Sequence, residues 1–140
     1  MRAWVLPPAK IEHAWPLVER WITDALHEGK ADISPYDVKV ALARGDMTLW
    51  VFFDATRAKG CVVTEMAESV RGKCCNIVAC AGDDFQSWRH FINNIKGWAK
   101  LHGCSRLEAG GRDGWRRLVK ADGWQQVRTV IEMRLDNGFE

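Results

Sequence analysis

The sequence has little tyrosine and little proline: one tyrosine and four prolines stand among 140 residues, against eight tryptophans. It has no proline-rich, serine-rich or repeated tract, which excludes a disordered chain and a solenoid. No apolar run approaches the roughly 18 residues that a membrane span needs. The start, MRAWVLPPAK, lacks the apolar block of a secretory signal. We expect a single globular domain over residues 1–140, located in the cytoplasm, with no membrane partner.

Metal-binding and nucleophile motifs are also missing. The five cysteines form no C-x-x-C pair, and the four histidines form neither H-x-x-x-H nor H-E-x-x-H. Cys74 and Cys75 are adjacent in an apolar run, so on a strand they point to opposite faces and cannot hold one metal ion. No Ser-His-Asp or Cys-His motif can be assembled from local sequence. We predict no metal site and reduced cysteines in the core.

The net charge of the chain does not indicate a polyanionic partner. The net charge is only +2, which supplies weak long-range attraction to nucleic acid. One basic cluster, Arg112 to Lys120, is interleaved with tryptophan, and arginines beside aromatic rings can contact a nucleic-acid backbone and stack on bases. The same spacing is typical of the solvent-exposed face of an amphipathic helix. Nucleic-acid contact through this helix is the weakest of the functions considered below.

The first part of the chain predicts a strand, two helices and a central strand. AWVL, residues 3–6, is a short apolar run closed by two prolines. In residues 11–29 apolar side chains recur at three- and four-residue spacing up to a glycine, which indicates a helix. Residues 34–45 open on Ser-Pro and end on glycine, as a second helix does. MTLWVFFDA, residues 47–55, is apolar on both alternations, which suits a strand buried on both faces.

The second part of the chain predicts four strands and two helices. The elements are strand 61–68, strand 74–81, helix 85–103, strand 105–109, helix 115–122 and strand 126–135. In the last strand apolar side chains alternate with charged ones, so we expect one face of it to be exposed. The order β-α-α-β-β-β-α-β-α-β predicts an α/β (α+β) fold, with one mixed sheet and helices on both faces.

This order resembles the GNAT fold of the acetyl-CoA-dependent N-acetyltransferases. The local similarity is best in RLEAGGRDGWRRLVKADGWQQVRTVIEMRL, residues 106–135, where Asp-Gly-Trp at 122–124 stands in place of the usual Gly-Phe or Gly-Tyr. The run GRDGWRRL, residues 111–118, also resembles GNAT-like proteins encoded by tailed phages and prophages. The resemblance implies acetyl-CoA as the cofactor and an amine as the acceptor.

In GNAT proteins the turn from the fourth strand into the third helix carries R/Q-x-x-G-x-G/A, whose backbone N–H groups hold the CoA pyrophosphate. The corresponding turn here is AGDDFQS, residues 81–87. If CoA binds, the resemblance implies four cofactor-binding residues that act through their backbone N–H groups: Asp84, Phe85, Gln86 and Ser87. We expect the carboxylate of Asp83 or Asp84 to cap the helix, to occupy these N–H groups and to repel a phosphate.

The resemblance also points to proton-transfer residues. Many family members place a tyrosine on the fourth helix as general acid, but the matching position here is Val119, and the only tyrosine, Tyr36, lies on the second helix. Some relatives use a glutamate to take the proton from the attacking amine. Glu65 and Glu68 near the end of the third strand and Glu108 on the fifth are the candidates, and we take Glu65 and Glu108 as the catalytic residues of an active enzyme.

Three functions follow, and they differ in class. The acidic turn and the missing tyrosine favour a non-catalytic GNAT-like protein, encoded by a phage, that acts as a structural or protein-interaction component in the host cytoplasm or the virion. Its partner would be a protein, such as a component of the phage particle, and its acetyl-CoA site would be degenerate. The alternative is an active acetyl-CoA-dependent N-acyltransferase on an unknown amine. The third is nucleic-acid contact through the basic cluster.

Overall fold

The computed structural model describes residues 1–110 and 123–136. Within these ranges the helices are α1 (Ile11–Glu28), α2 (Pro35–Arg44), α3 (Phe85–Trp88) and α4 (Ile92–Leu101). The strands are β1 (Arg2–Leu6), β2 (Thr48–Asp54), β3 (Arg57–Ser69), β4 (Gly72–Gly82) and β5 (Arg106–Ala109). Two short 3-10 turns, Pro8–Lys10 and Arg89–Phe91, precede α1 and α4. This order confirms the predicted α/β class with a mixed sheet.

The five strands form one sheet in the order in which they occur along the chain. β1 to β4 pair antiparallel with their neighbours, and β5 pairs parallel with β4. A parallel neighbour requires a crossover connection, and α3 and α4 supply it. No helix within the described ranges is long and apolar enough to cross a membrane.

Each face of the sheet is covered by helices, as the sequence predicted. On one face α1 and α2 bury a core that includes Val18, Ile22 and Leu42, each exposed by 1% or less, against Leu49 and Val63 of the strands. The other face packs on α4 and α3 through a second core whose buried members are Trp50, Phe52, Val62, Cys75, Ile77, Trp88, Ile95 and Ala99. Seven of the 14 aromatic residues belong to this second core or pack against it. Each fully buried large side chain stabilises the fold by about 1.5–3 kcal/mol.

The ends of the helices follow from local sequence. α2 begins with a capping box, in which the Asp37 N–H donates to Ser34 Oγ over 3.1 Å and the Ser34 N–H donates to the Asp37 carboxylate over 3.4 Å. It ends at Gly45, whose φ of 83° is in the left-handed region. Pro16 lies inside α1, beyond the first turn in which the sequence would place it.

Two predicted elements differ from the structure. The predicted strand 126–135 is wrong, because residues 123–136 form no strand and most of their side chains are exposed. Alternation describes side chains alone, and a strand also needs a neighbour for its backbone, which this segment does not have among the described residues. The predicted helix 85–103 is interrupted at Trp88, whose φ of −125° and ψ of 0° leave the helical region. The predicted helix 115–122, and with it Val119 and the basic cluster Arg112 to Lys120, lies outside the described residues.

Candidate functional site

β4 and β5 separate halfway along β4. Their parallel pairing runs from Cys74 opposite Arg106 to Ile77 opposite Ala109 and stops there, because β5 ends. β4 continues to Gly82 and stays paired with β3 on its other side. Residues 78–82 therefore present one edge that pairs with no described strand, and we call this the open edge of β4. Backbone N–H and C=O groups on such an edge can bind an extended chain.

A β-bulge marks the point of separation. Val63 of β3 pairs with Ala79 of β4, and the next residue, Thr64, pairs with Ile77, so Val78 is an extra residue on β4. A bulge bends its strand and increases the local twist, and it reverses which face the following side chains point to. Here the bulge lies next to Ile77, where the β4–β5 pairing ends.

A cavity of about 670 Å³ lies along the open edge of β4. Residues 77–83 form one wall, the end of β5 at Ala109 forms another, and α3 contributes Phe85 and Trp88. The fourth side is α1, which contributes Arg20, Trp21, Asp24, Ala25 and Glu28. Small-molecule sites typically occupy roughly 300–1,000 Å³, so the volume suits an organic ligand.

Among the residues that the structure describes, the charged ones that line the cavity are mostly acidic. Arg20, Asp24 and Glu28 recur at four-residue spacing along α1, and Asp83 follows the end of β4. Three carboxylates therefore accompany one guanidinium among the described lining residues. A carboxylate about 4 Å from a unit positive charge attracts it by about 1 kcal/mol in water and by several times more at lower effective dielectric. The described carboxylates of the lining can therefore interact with a cationic ligand group.

The turn after β4 is not capped as the sequence suggested. Asp84 precedes α3 with φ 52° and ψ 58°, in the left-handed region, and its side chain makes no cap hydrogen bond. A capping residue normally has an extended backbone, which aims its side chain at the first N–H groups of the helix. The expected carboxylate cap is therefore wrong at Asp84. The exposed carboxylates remain at the turn as charges.

The four predicted cofactor-binding residues lie together on this turn and on α3. Phe85 lines the cavity, and Gln86 is exposed, with its side-chain oxygen accepting a hydrogen bond from Arg89 over 3.1 Å. The Ser87 N–H donates to the Asp84 carbonyl oxygen over 2.9 Å, and Ser87 Oγ donates to the same oxygen over 2.8 Å. The Ser87 N–H is thus already bonded within the turn.

Glu108 is the centre of an ion-pair cluster. Its Oε1 lies 3.1 Å from Arg106 Nε, 3.4 Å from Arg71 Nη1 and 3.7 Å from Arg128 Nη1. The hydrogen bond from Arg106 is the main cause that holds the pKa of the Glu108 carboxyl below its ordinary value, and the charges of Arg106, Arg128 and Arg71 add to it. A carboxylate with a lowered pKa is a weaker base.

Neither of the predicted glutamates is among the described residues that line the cavity. Glu65 is half-buried on β3 opposite Asn76, and Glu68 is exposed. Asp24 and Glu28, which the sequence analysis did not single out, lie at the cavity instead. Their four-residue spacing at the border of the apolar stripe of α1 is the signal that could have found them.

The cysteine at the cavity is not activated as a nucleophile. Cys80 lines the cavity, and burial raises the pKa of its thiol to about 12. A thiol with that pKa stays protonated at neutral pH, and the thiolate is the reactive form. No group of three or more potential metal-ligating side chains occurs among the residues that the structure describes.

Comparisons with known proteins agree on the architecture. No protein-family model matches the sequence, and no curated protein is similar to it. Solved structures do match. A predicted acetyltransferase from Clostridium acetobutylicum, solved with acetyl-CoA, has a TM-score of 0.70 at 12% identity over 99% of both chains. A ribosomal-protein-alanine N-acetyltransferase from Brucella melitensis has a TM-score of 0.70 at 11% identity, over 96% of this chain and 100% of that one.

A third structure is similar to the same extent. A GCN5-related N-acetyltransferase from Ralstonia eutropha has a TM-score of 0.70 at 13% identity, over 97% of this chain and 99% of that one. At these identities the similarity establishes architecture alone. The mixed five-stranded sheet, the helices on both of its faces and the matches to these three structures lead to one conclusion: the chain has the GNAT fold, the fold of the GCN5-related N-acetyltransferases.

Proposed function

We propose that this chain binds an acyl-coenzyme A thioester along the open edge of β4 and transfers its acyl group to a cationic amine. The observation that carries the proposal is the separation of β4 from β5 after Ile77 and Ala109, which leaves residues 78–82 facing a cavity of about 670 Å³. Backbone groups on an unpaired strand edge are available to hydrogen-bond a ligand.

The open edge suits the pantetheine arm of coenzyme A. That arm is an extended chain with two amide groups, and an extended amide-containing chain can add to a free strand edge through backbone hydrogen bonds. The four predicted residues Asp84 to Ser87 lie beyond the end of this edge, next to where the phosphates of such a ligand would extend. Acetyl-CoA is the simplest ligand of this class, and one structural neighbour was solved with it.

The acidic lining supports an amine as the acceptor. Asp24 and Glu28 on α1 and Asp83 after β4 surround the cavity that the thioester would enter. Carboxylates there attract a protonated amine, and a ligand with a second positive charge gains more than a monoamine. The acceptor class proposed here is accordingly an amine with a neighbouring cationic group.

The reaction needs few groups from the protein. The amine nitrogen attacks the thioester carbonyl carbon, the new C–N bond forms, and the C–S bond breaks to release the thiolate of coenzyme A. A protonated amine has no free electron pair, so it first loses one proton to become the nucleophile and loses a second proton after the attack. Asp24 or Glu28 lies at the cavity to accept these protons and pass them to water. A thiol has a pKa of about 8.5, so the thiolate leaves without a tyrosine to protonate it and then takes a proton from water. Cys80 takes no part, since its thiol stays neutral.

Glu65 and Glu108 stay predictions as catalytic bases. Glu65 is half-buried on β3 and directly follows Thr64, where the register shifts, and Glu108 is bound by three arginines. The lowered pKa of the Glu108 carboxyl makes its carboxylate a poor proton acceptor. The lining carboxylates of α1 are the stronger candidates.

A second candidate function has the same fold but no acyl transfer. In this account the chain is a non-catalytic, phage-encoded component that contacts another protein. Asp83 at the turn favours it, because a carboxylate repels the phosphates of coenzyme A. So do the exposed apolar side chains of the C-terminal segment: Val130, Ile131 and Met133 are 85%, 91% and 82% exposed. Exposed apolar groups that lie close together mark interaction sites.

A thiol-release assay separates transfer from non-catalytic roles. The protein is incubated with acetyl-CoA and either butylamine or butane-1,4-diamine, and free coenzyme A is followed with a thiol reagent. We expect faster release with the diamine, and a smaller preference for the diamine in Asp24→Asn. Glu19→Gln, on the same helix but outside the cavity beside β4, is the matched control and should leave the preference unchanged. Release no faster with amine than without it would contradict the transfer function for these acceptors.

A further inference from the structure

Trp88 lies directly beneath the turn that leads from β4 to α3. Its side chain is fully buried at 0% exposure. Its ring stacks on Phe52, with centroids 5.1 Å apart and an interplanar angle of 23°, and meets Phe85 edge-on at 4.8 Å. The aromatic contacts on two sides fix the ring within the second core. The position of its indole nitrogen is therefore determined by the core and not by the turn.

That nitrogen is bonded to the turn. Trp88 Nε1–H donates to the Asp83 carbonyl oxygen over 2.8 Å, and the Asp83 N–H donates to the Lys59 carbonyl oxygen over 2.7 Å. Asp83 is thus held on one side by β3 and on the other by the core. The following residue, Asp84, adopts the left-handed conformation, which is unfavourable for a residue with a side chain by about 1–2 kcal/mol. A conformation of this kind persists where the surroundings determine it.

Two glycines make the close approach feasible. A Cβ atom on Gly60 would lie 2.4 Å from the Trp88 ring, so no other residue fits on β3 beneath the indole. A Cβ atom on Gly82 would lie 2.4 Å from the Gly60 Cα, and Gly82 has a φ of +146°. Glycine at both positions therefore leaves space for the Trp88 ring, β3 and the turn to pack closely together.

We propose that Trp88 is a positioning residue for the acyl-CoA site. Its indole N–H holds the Asp83 carbonyl and thereby fixes the turn Asp83 to Ser87 in the conformation that faces the cavity. The effect of Trp88 on acyl-CoA binding rests on the proposed function. Its effect on the conformation of the turn does not. Trp88 acts through the turn and has no role in the reaction itself.

The test compares two buried indole hydrogen bonds in the same core. Trp88→Phe keeps an aromatic ring and removes the bond to Asp83. Trp50→Phe is the matched control: the Trp50 indole N–H donates to Thr64 Oγ1 over 3.2 Å, and this buried bond joins β2 to β3 and not to the turn. Each variant loses one indole bond and a similar volume. The readouts are the dissociation constant for acetyl-CoA by calorimetry and amide hydrogen exchange over residues 83–88.

Trp88→Phe should weaken acetyl-CoA binding about three- to ten-fold, the loss expected for one hydrogen bond. It should also speed exchange at the turn, while Trp50→Phe changes neither quantity there. Equal effects of the two substitutions, or no effect of Trp88→Phe on the turn, would overturn the proposal. If the wild-type protein bound no acetyl-CoA, the proposed function would fail, and hydrogen exchange would still decide whether Trp88 controls the turn.

A wild-type measurement covers the case in which Trp88→Phe does not fold. The exchange of the Trp88 indole proton can be followed in the unaltered protein by NMR with ¹⁵N-labelled tryptophan. We expect this proton to be protected from solvent, and its exchange to slow further when acetyl-CoA is added. Rapid exchange of the indole proton in the free protein would show that the bond to Asp83 does not hold the turn.

Discussion

Asp83 places a negative charge next to the phosphates of the proposed ligand. Its carboxylate is exposed beyond the end of β4, and its backbone groups are bonded to β3 and to Trp88. The residue therefore has two separable effects: the backbone fixes the turn, and the side chain sets the local charge. A substitution that neutralises the side chain and keeps its shape addresses the second effect alone.

Asp83→Asn should tighten acetyl-CoA binding by about five-fold, because about 1 kcal/mol of repulsion between unit charges about 4 Å apart in water is removed. Calorimetric titration at low and high salt measures it, and the gain should shrink at high salt as the charges are screened. Asp32→Asn is the matched control, since Asp32 is also exposed and lies in the loop before α2. Weaker binding by Asp83→Asn would mean that the carboxylate assists the ligand.

At the scale of elements, the end of β4 is the part of the fold that makes the site. The bulge at Val78 and the close packing of Gly82 against β3 bring the strand to the turn, while β5 ends at Ala109. α4, in contrast, packs on the same core without any special backbone demand at its glycine. A Cβ atom on Gly97 would meet nothing within 4 Å. The two glycines therefore predict opposite responses to the same substitution.

Gly82→Ala should lower the free energy of unfolding by about 1–3 kcal/mol, because the new methyl group overlaps the β3 backbone. Gly97→Ala should raise it by about 0.5–1 kcal/mol, since alanine in a helix interior has less conformational freedom to lose. Urea unfolding followed by circular dichroism measures both. A neutral Gly82→Ala would show that β3 and β4 are not in close contact at Gly60 and Gly82.

The elements of this region could be predicted in part from the sequence. The apolar run 74–81 located β4, which begins two residues earlier and ends one residue later, because the pairing with β3 continues beyond the apolar run. The position where β5 leaves β4 could not be predicted, since it depends on the register of the two strands. The interruption of the helix at Trp88 could not be predicted either. The apolar residues around it have helical spacing, and the packing of the ring against Gly60 is a tertiary contact.

At the scale of the whole molecule, titratable groups make the free energy of unfolding depend on pH. This dependence has an acid limb and an alkaline limb. On the acid side, the Glu108 carboxyl has a pKa below its ordinary value of 4.5, mainly through the hydrogen bond from Arg106. On the alkaline side, burial raises the thiol pKa of Cys75 to about 11 and that of Cys80 to about 12, from an ordinary value of 9.0. Burial also raises the thiol pKa of Cys61 and Cys74.

The signs of the two limbs follow from linkage. A lowered carboxyl pKa stabilises the fold above about pH 4.5, and this contribution is lost as pH falls through the folded-state pKa. A raised thiol pKa leaves the folded chain protonated where the unfolded chain ionises, so stability declines as pH rises above about 9. Glu108→Gln should lower the free energy of unfolding at pH 7 by about 1–3 kcal/mol and flatten the acid limb. Urea unfolding from pH 3 to pH 10 measures this, and an unchanged acid limb in the variant would contradict the ion-pair account.

The overall fold could be predicted from the sequence, and the site could be predicted only in part. Periodicity and the order of elements gave the mixed sheet with helices on both faces, because burial patterns repeat along each element. Sequence patterns located the site only in part, because the cavity brings Asp24 and Glu28 of α1 close to β4 and Asp83. These two parts of the chain are distant in sequence. The expected carboxylate cap at Asp84 failed because residue type does not determine backbone conformation.

Titration of acetyl-CoA into the unaltered protein by calorimetry tests the central claim most directly. If the open edge of β4 and the cavity beside it hold an acyl-CoA thioester, acetyl-CoA should bind at one site per chain with micromolar affinity. Coenzyme A should compete for the same site, and an adenine nucleotide without the pantetheine arm should bind more weakly. No heat of binding up to millimolar acetyl-CoA would contradict the acyltransferase account and leave the non-catalytic interaction protein as the better explanation.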